Sequence, residues 1–431
     1  MKSRRNAKLA TVIVLTLVLI LASGTLTGFT GRDDDAVKSA ELTSLLLPDP
    51  YVEDVYGLRG FTVSPDGKYI YLGYLHCMGP DAGHVSRYDA ATLEKTGEFI
   101  PRADDNILVG TSNCYPKGLA VDNRGFLYVG VTHAETEYCS IYCLGNNFVE
   151  ISHIVEQLDD VTGINGITTQ KIGDRILLYV ITCYNQDTIR CYDVTDPREM
   201  KLYGGFGDGG VVDYNALTGS ERDAGYIAVD LDGNVYVTCL EDDSSFRKGS
   251  QVLKLSPDGK TIVARAKLRE AYGISFAGDY LFVSTYNDEK SDVHVLNKDD
   301  LSEVRTFKLS GNDYPLTGTG YAGNYLYVAS QGSESPDDSG EIFRTAAELP
   351  ITRDPRETEK MDPGDYEVPL PTEAPTDALD NTDSPSDDSA DNKKFPVLPV
   401  VAGVCGAIVL AAIVVMIVSS AKNKKRSSKT S

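Results

Sequence analysis

The residues able to do chemistry in this sequence are few and widely spaced. His76 and His133 each follow an aromatic, Tyr71 and Tyr128, by five positions in two stretches of matching pattern. Equivalent positions in neighbouring units put both imidazoles on one face, where they could share a ligand or a metal. With no third ligand and no carboxylate partner they fall short of a zinc site, and they read equally as polar loop residues. Tyrosine is the dominant aromatic, 25 against 12 Phe and no Trp. Tyr115, Tyr184, Tyr214, Tyr226, Tyr272, Tyr286 and Tyr314 fall in predicted loops or at strand starts. A phenol ring exposed in a loop suits a carbohydrate face or a protein interface, so Tyr115, Tyr226 and Tyr272 are ligand-binding candidates. Asp230–Gly233 resembles half a calcium loop without its downstream ligands and reads as a hairpin turn. Glu241-Asp242-Asp243 and Asp337-Asp338 fall in loops that converge on one face, leaving calcium as the cation they could supply. No other metal or cofactor is expected. GxSxG, HExxH, P-loop and Cys-His nucleophile patterns are absent, so no catalytic residue is assigned.

Eight cysteines are present. Cys405 lies in an apolar C-terminal run, so an odd number remains outside it and at least one of these has no intrachain partner. Cys183 and Cys191 flank a short connection between adjacent strands, and a disulfide across that hairpin is expected. Cys77–Cys114 is a second expected pair, since both map to loops of the first two units on one face.

Six stretches share a plan that must position all of these residues: a small or Gly-led start, a turn, then alternating aromatic and β-branched positions. GFTVSPDGKYIYLGY, GLAVDNRGFLYVGV, GITTQKIGDRILLYVIT, YIAVDLDGNVYVTC, GISFAGDYLFVST and GTGYAGNYLYVAS carry the equivalent residues Tyr71, Tyr128, Tyr179, Tyr236, Phe282 and Tyr327 at intervals of 45–57 residues. Asp66-Gly67, Arg124-Gly125, Asp232-Gly233 and Gly278-Asp279 supply the positive-φ positions of tight hairpins. A third alternating run follows each pair, and most units add a fourth. Four short strands per unit is the pattern of a propeller blade, and six units predict an all-β, six-bladed β-propeller. The last unit ends at Arg344 without a fourth strand; the segment Ala40–Tyr56 is expected to supply it and close the ring.

GLAVDNRGFLYVGV and YIAVDLDGNVYVTC resemble NHL-repeat blades, and VSPDGKYIYLGY is similar to the YVTN-type surface-propeller repeat. The resemblance covers Gly57–Arg344 and implies architecture rather than activity. The gluconolactonase and senescence-marker family is a distant enzymatic relative with a divalent metal in its channel. Asn165-Gly166 in GINGITT resembles that family's central Asn motif, which makes Asn165 a ligand-binding candidate. The other ligands are not retained: Leu58-Arg59 stands where a Glu is expected, Gly225 where an Asp is expected, and Lys117 precedes GLAVD.

The ends set the location. Residues 1–25 read as a signal peptide, with Lys2, Arg4, Arg5 and Lys8 ahead of a short apolar run; an uncleaved anchor is the alternative. Residues 26–39 read as a linker, 40–350 as the propeller and 351–395 as an acidic, disordered Pro/Thr/Ser/Asp-rich stalk. Residues 396–421 form an uncharged run long enough for a transmembrane helix, and 422–431 a basic cytoplasmic tail. The formal charge of −22 argues against nucleic-acid binding, and the missing Trp excludes WD-type blades. The expectation is a single-pass plasma-membrane protein whose extracellular propeller binds a protein or glycan without catalysis. The competing reading is an extracellular metal-dependent hydrolase or lactonase with an altered site; a structural surface-layer component is a third.

Overall fold

The structure is a computed structural model that describes residues 36–38, 40–45, 55–77, 83–101, 114–133, 138–157, 162–184, 187–218, 222–241, 251–286, 291–309, 315–331 and 340–363. The sequence plan becomes six antiparallel sheets, in which successive strands of a repeat are hydrogen-bonded neighbours. The first strands of blades 1 to 6 are Val55–Val63, Cys114–Val121, Thr162–Ile172, Arg222–Val229, Ala271–Ala277 and Leu316–Ala322. Each packs against the next, and the sixth packs against the first, so they form a closed inner ring. This is a six-bladed β-propeller.

Burial follows from radial packing. The second strands Leu127–His133 and Tyr280–Thr285 are buried at every position, because a neighbouring blade covers each face. The outer strand Ile262–Lys267 alternates, with one face in solvent. The six equivalent aromatics of the repeat all lie in second strands and are at most 3% exposed.

The hairpins are built by a side-chain device repeated in blades 2 and 4. Asp122 Oδ1 accepts the amides of Arg124 and Phe126, and its Oδ2 accepts the hydroxyl of Tyr128 at 3.3 Å. Asp230 does the same for the amides of Asp232 and Asn234 and for the hydroxyl of Tyr236 at 2.9 Å. The Asp-x-Asp-Gly stretch is thus a turn, its first carboxylate consumed by the hairpin. Gly233 has φ 84° there, a conformation that glycine adopts without strain.

Ring closure falls to Leu42–Leu45, which pairs antiparallel with Glu341–Thr345 as the fourth strand of blade 6. Short extensions at both ends of the described chain also join the ring. Val37, in the expected linker, is fully buried against the core that includes Phe282 and Val328. Ile351 is buried likewise, so residues 351–363 belong to the folded body rather than to the stalk. Blade 3 departs from the plan at its edge: its fourth strand is only Lys201–Leu202, Val211–Asp213 adds a fifth, and a helical turn follows at Tyr214–Thr218. Tyr214, expected in a loop, is fully buried.

Neither expected disulfide forms. The register places Cys191 opposite Tyr179, not opposite Cys183. Four residues of strand separate the two positions, about 13 Å at 3.3 Å per residue, far beyond the reach of an S–S bond. Both side chains are buried, and neither is in a disulfide. Cys114 is also free and buried, and the side chain of Cys77 lies outside the described residues. The signal peptide, most of the stalk, the transmembrane run and the basic tail lie outside the described residues. Among those described, no helix is long and apolar enough to cross a membrane.

Candidate site at the channel mouth

Every inner strand carries a register shift near its first end. The shifts fall between Leu58 and Gly60, Pro116 and Gly118, Ile164 and Gly166, Ala224 and Ile227, Ala271 and Ile274, and Leu316 and Gly318. A bulge releases a residue from the ladder and re-aims its side chain. The released residues are Arg59, Lys117, Asn165, Gly225 with Tyr226, Tyr272 with Gly273, and Thr317. Six bulges at one level form a ring around one end of the channel.

The side chains of this ring reach one another across it. Tyr226 of blade 4 donates its hydroxyl to the carbonyl of Arg59 in blade 1, on the opposite side, at 2.6 Å. Gly166 makes room for that crossing, since a Cβ there would sit 2.9 Å from the Tyr226 ring. Arg59 Nη1 donates to the hydroxyl of Tyr286 at 2.7 Å, and its guanidinium lies over that ring at 5.4 Å. Tyr286 in turn donates to Gln331 Oε1 of blade 6 at 3.0 Å. The ring of Tyr272 packs 5.0 Å from Tyr226 and 4.8 Å from Tyr286. Asn165 donates its amide to the carbonyl of Ala224 at 2.8 Å. Burial pushes the phenols of Tyr226 and Tyr272 well above the usual tyrosine range, so both remain neutral hydroxyls.

The other end of the channel is closed. Residues after blade 6 cross the hairpin turns as a strap. Leu349 binds the carbonyl of Asn324 in blade 6, and the Glu357 carboxylate accepts the amide of Gly278 in blade 5 at 3.2 Å. Glu359 pairs with Lys171 of blade 3, and Met361 binds the carbonyl of Asn123 in blade 2. Between Tyr226 and the strap residues Arg353, Glu357 and Met361 lies a cavity of about 180 Å³. The Tyr226 crossing bounds this cavity on the side of the bulge ring, and the strap bounds it on the other.

Of the six ligand candidates, the structure brings Asn165, Tyr226 and Tyr272 together at this mouth. Tyr115 stands two residues before the Lys117 bulge and is half-buried. His133 is not a loop residue: it ends a second strand, is 1% exposed, and bonds Ser140 Oγ at 2.7 Å and Cys114 Sγ at 3.3 Å. It is a core histidine occupied on both nitrogens. His76 occupies a strand position opposite Tyr56, and its side chain lies outside the described residues. Asp242, Asp243, Asp337 and Asp338 also lie outside them, as does the side chain of Glu241. Among the described residues no group of three His, Cys, Asp or Glu could hold a metal ion. Sequence reasoning passed over Arg59 as a site residue, although its place directly before Gly60 was the available signal.

No protein family matches the sequence, and no curated protein is similar to it. Solved structures of similar fold include hydrazine synthase of Kuenenia stuttgartiensis, at 17% identity over 67% of this chain and 80% of that one, TM-score 0.43. The PQQ-bound aldose sugar dehydrogenase of Streptomyces coelicolor matches at 13% identity over 71% and 98%, TM-score 0.45. The Dos1 propeller matches at 10% over 69% and 80%, TM-score 0.41. At these values the likeness assigns no activity.

Proposed function

We propose that this chain is a cell-surface propeller, tethered through its apolar C-terminal run, that binds an extracellular glycan or protein segment at the channel mouth without transforming it. The observation that carries this reading is the bulge ring: the Arg59 guanidinium, the Asn165 side chain and the rings of Tyr226 and Tyr272 are held in fixed positions at one end of the channel. Such a set orients a ligand, and it contains no general base or nucleophile. The basic-apolar leader and the basic residues after the apolar run support an outward-facing propeller. The Asp-turn-Tyr hairpins of blades 2 and 4 support grouping these repeats with the NHL type. Against the lactonase reading, Asn165 spends its amide on Ala224, and the corresponding positions of blades 1 and 2 carry cations, which repel a metal.

The test is a glycan and secretome binding screen with the full-length protein and Tyr272→Ala. Saturable binding weakened by that change is expected, whereas absence of any saturable ligand overturns the reading. Turnover of small lactones that Asn165→Ala abolishes would replace it with the enzymatic one.

A further inference from the structure

We infer that the ligand presents an oxyanion, a carboxylate or sulfate borne on a sugar ring, and that Arg59 receives it; this rests on the mouth being the binding site. A guanidinium withdrawn from water is normally paired with a carboxylate. Arg124 pairs with Asp122, Arg190 with Glu156 and Arg353 with Glu357, whereas Arg305 and Arg344 rest on the rings of Phe307 and Tyr325. The chain has 63 acidic residues against 41 Lys and Arg, so carboxylates are plentiful. Yet among the described residues Arg59 meets only the hydroxyl and ring of Tyr286, and the groups acting on its charge are all tyrosines.

Arginine has five N–H donors in a planar fork, and only Nη1 is engaged by a side chain here. The remaining donors fit the two oxygens of a carboxylate or sulfate side by side. Lys117, at the matching bulge of blade 2, adds a second cation at the same level. The phenol ring of Tyr272 beside the guanidinium supplies the flat apolar face that a sugar ring covers. Because Tyr226 spans the channel, the mouth admits the end of a ligand rather than a threaded chain, which favours a saccharide terminus over an acidic peptide.

The experiment is calorimetry on the full-length protein with four probes: a tri-uronate, the neutral trisaccharide of the same linkage, sodium sulfate and hexaglutamate. The tri-uronate should bind at least about tenfold more tightly than the neutral sugar, reflecting one charge-assisted bond. Arg59→Gln should weaken it about 10- to 100-fold and weaken the neutral sugar less, so that the preference for the acidic sugar is lost. Lys117→Met, which leaves the Arg59 cage intact, should weaken the tri-uronate about threefold or more and serves should Arg59→Gln fail to fold. Equal affinity for the acidic and neutral sugars, or indifference of the tri-uronate to both changes, overturns the inference. Sulfate binding as tightly as the tri-uronate, or binding of hexaglutamate alone, overturns its saccharide part. A neutral sugar that binds without acid preference and is lost in Tyr272→Ala leaves the mouth as a binding site and refutes only the oxyanion. Silence of all four probes together with an empty screen refutes the mouth itself.

Discussion

Replacing Arg124 by Met should destabilise the ring more than any exposed charge change, and the structure gives the reason. The Arg124 and Asp122 side chains are 4% and 2% exposed. The guanidinium gives Nε and Nη2 to Asp122 Oδ2 at 3.0 and 2.7 Å, and Nη1 and Nη2 to the blade 3 carbonyls of Thr195 and Val194 at 2.7 and 2.9 Å. Methionine fills much of the volume but leaves Asp122 buried and charged, with two carbonyls short of a donor. Breaking a buried pair from one side costs about 3–5 kcal/mol, a large share of a stability near 5–15 kcal/mol. Asp122→Asn/Arg124→Met removes the stranded charge as well, so it should cost less than the sum of the two single changes. Urea unfolding followed by circular dichroism gives all three values. A cost below about 1 kcal/mol for Arg124→Met, or strict additivity in the double variant, would show that the pair does not hold blades 2 and 3 together.

His84 stacks on Tyr74 at 5.1 Å and is 3% exposed; burial lowers its pKa from 6.5 to about 4, against a smaller upward pull from Glu98. Its neutral form is favoured on folding, so this stability is complete above pH 6.5, falls between 6.5 and about 4, and is flat below; the total is about 3 kcal/mol. His84→Phe should remove that slope from a plot of urea midpoint against pH, and an unchanged slope refutes the assignment. Glu357→Ala strips the acceptor from Gly278 and the partner from Arg353, costing about 1–3 kcal/mol locally. Faster proteolysis within residues 351–362 at a nearly constant melting temperature is the expected signature. Leu42 and Leu45 pack on the cores flanking blade 6, so Leu42→Asp/Leu45→Asp should lose about 3–5 kcal/mol and open the ring there, read as accelerated amide exchange in Glu341–Thr345 before any other strand.

The repeat was legible because its physics is local. Period-two alternation, Asp-turn-Gly hairpins and an aromatic in each second strand act within one blade, so blade number, strand order and the closing role of Leu42–Leu45 follow from spacing. What spacing could not convey was register to the residue. Cys183 and Cys191 look adjacent across a short connection, but the ladder slides them four positions apart. His133 looks like a loop residue by distance from Tyr128, yet its strand extends through that position and buries it. The strap was hidden because its Pro- and Asp-rich composition resembles the stalk; its order comes from a capping box at Asp354 and Glu357 and from partners on four distant blades. Asn165, Tyr226 and Tyr272 were found as chemistry-bearing residues, but their common position rests on bulges, which leave no periodic mark.

Those bulges explain why the site sits where the repeats disagree. Strand residues on either side are fixed by the neighbouring blade, and they repeat. A bulged residue has no partner opposite it, so Arg, Lys, Asn, Tyr and Thr all occur at one level without cost to the frame. The strap closes the far end of the channel, and residue 363 leaves the described chain on that closed side. A surface propeller that takes an extracellular ligand at the mouth requires that mouth to be reachable from outside the cell. Lys117→Cys tests this on intact cells with a membrane-impermeant maleimide. In a Cys77→Ser background the signal without the added cysteine should be low: Cys114, Cys139, Cys143, Cys183, Cys191 and Cys239 are all buried, and burial pushes the Cys114 thiol up to about 11, keeping it protonated and slow to react. Labelling of Lys117→Cys before lysis, blocked by a bound tri-uronate, is the expected result. Labelling only after lysis would place the mouth on the wrong side of the membrane for any extracellular ligand.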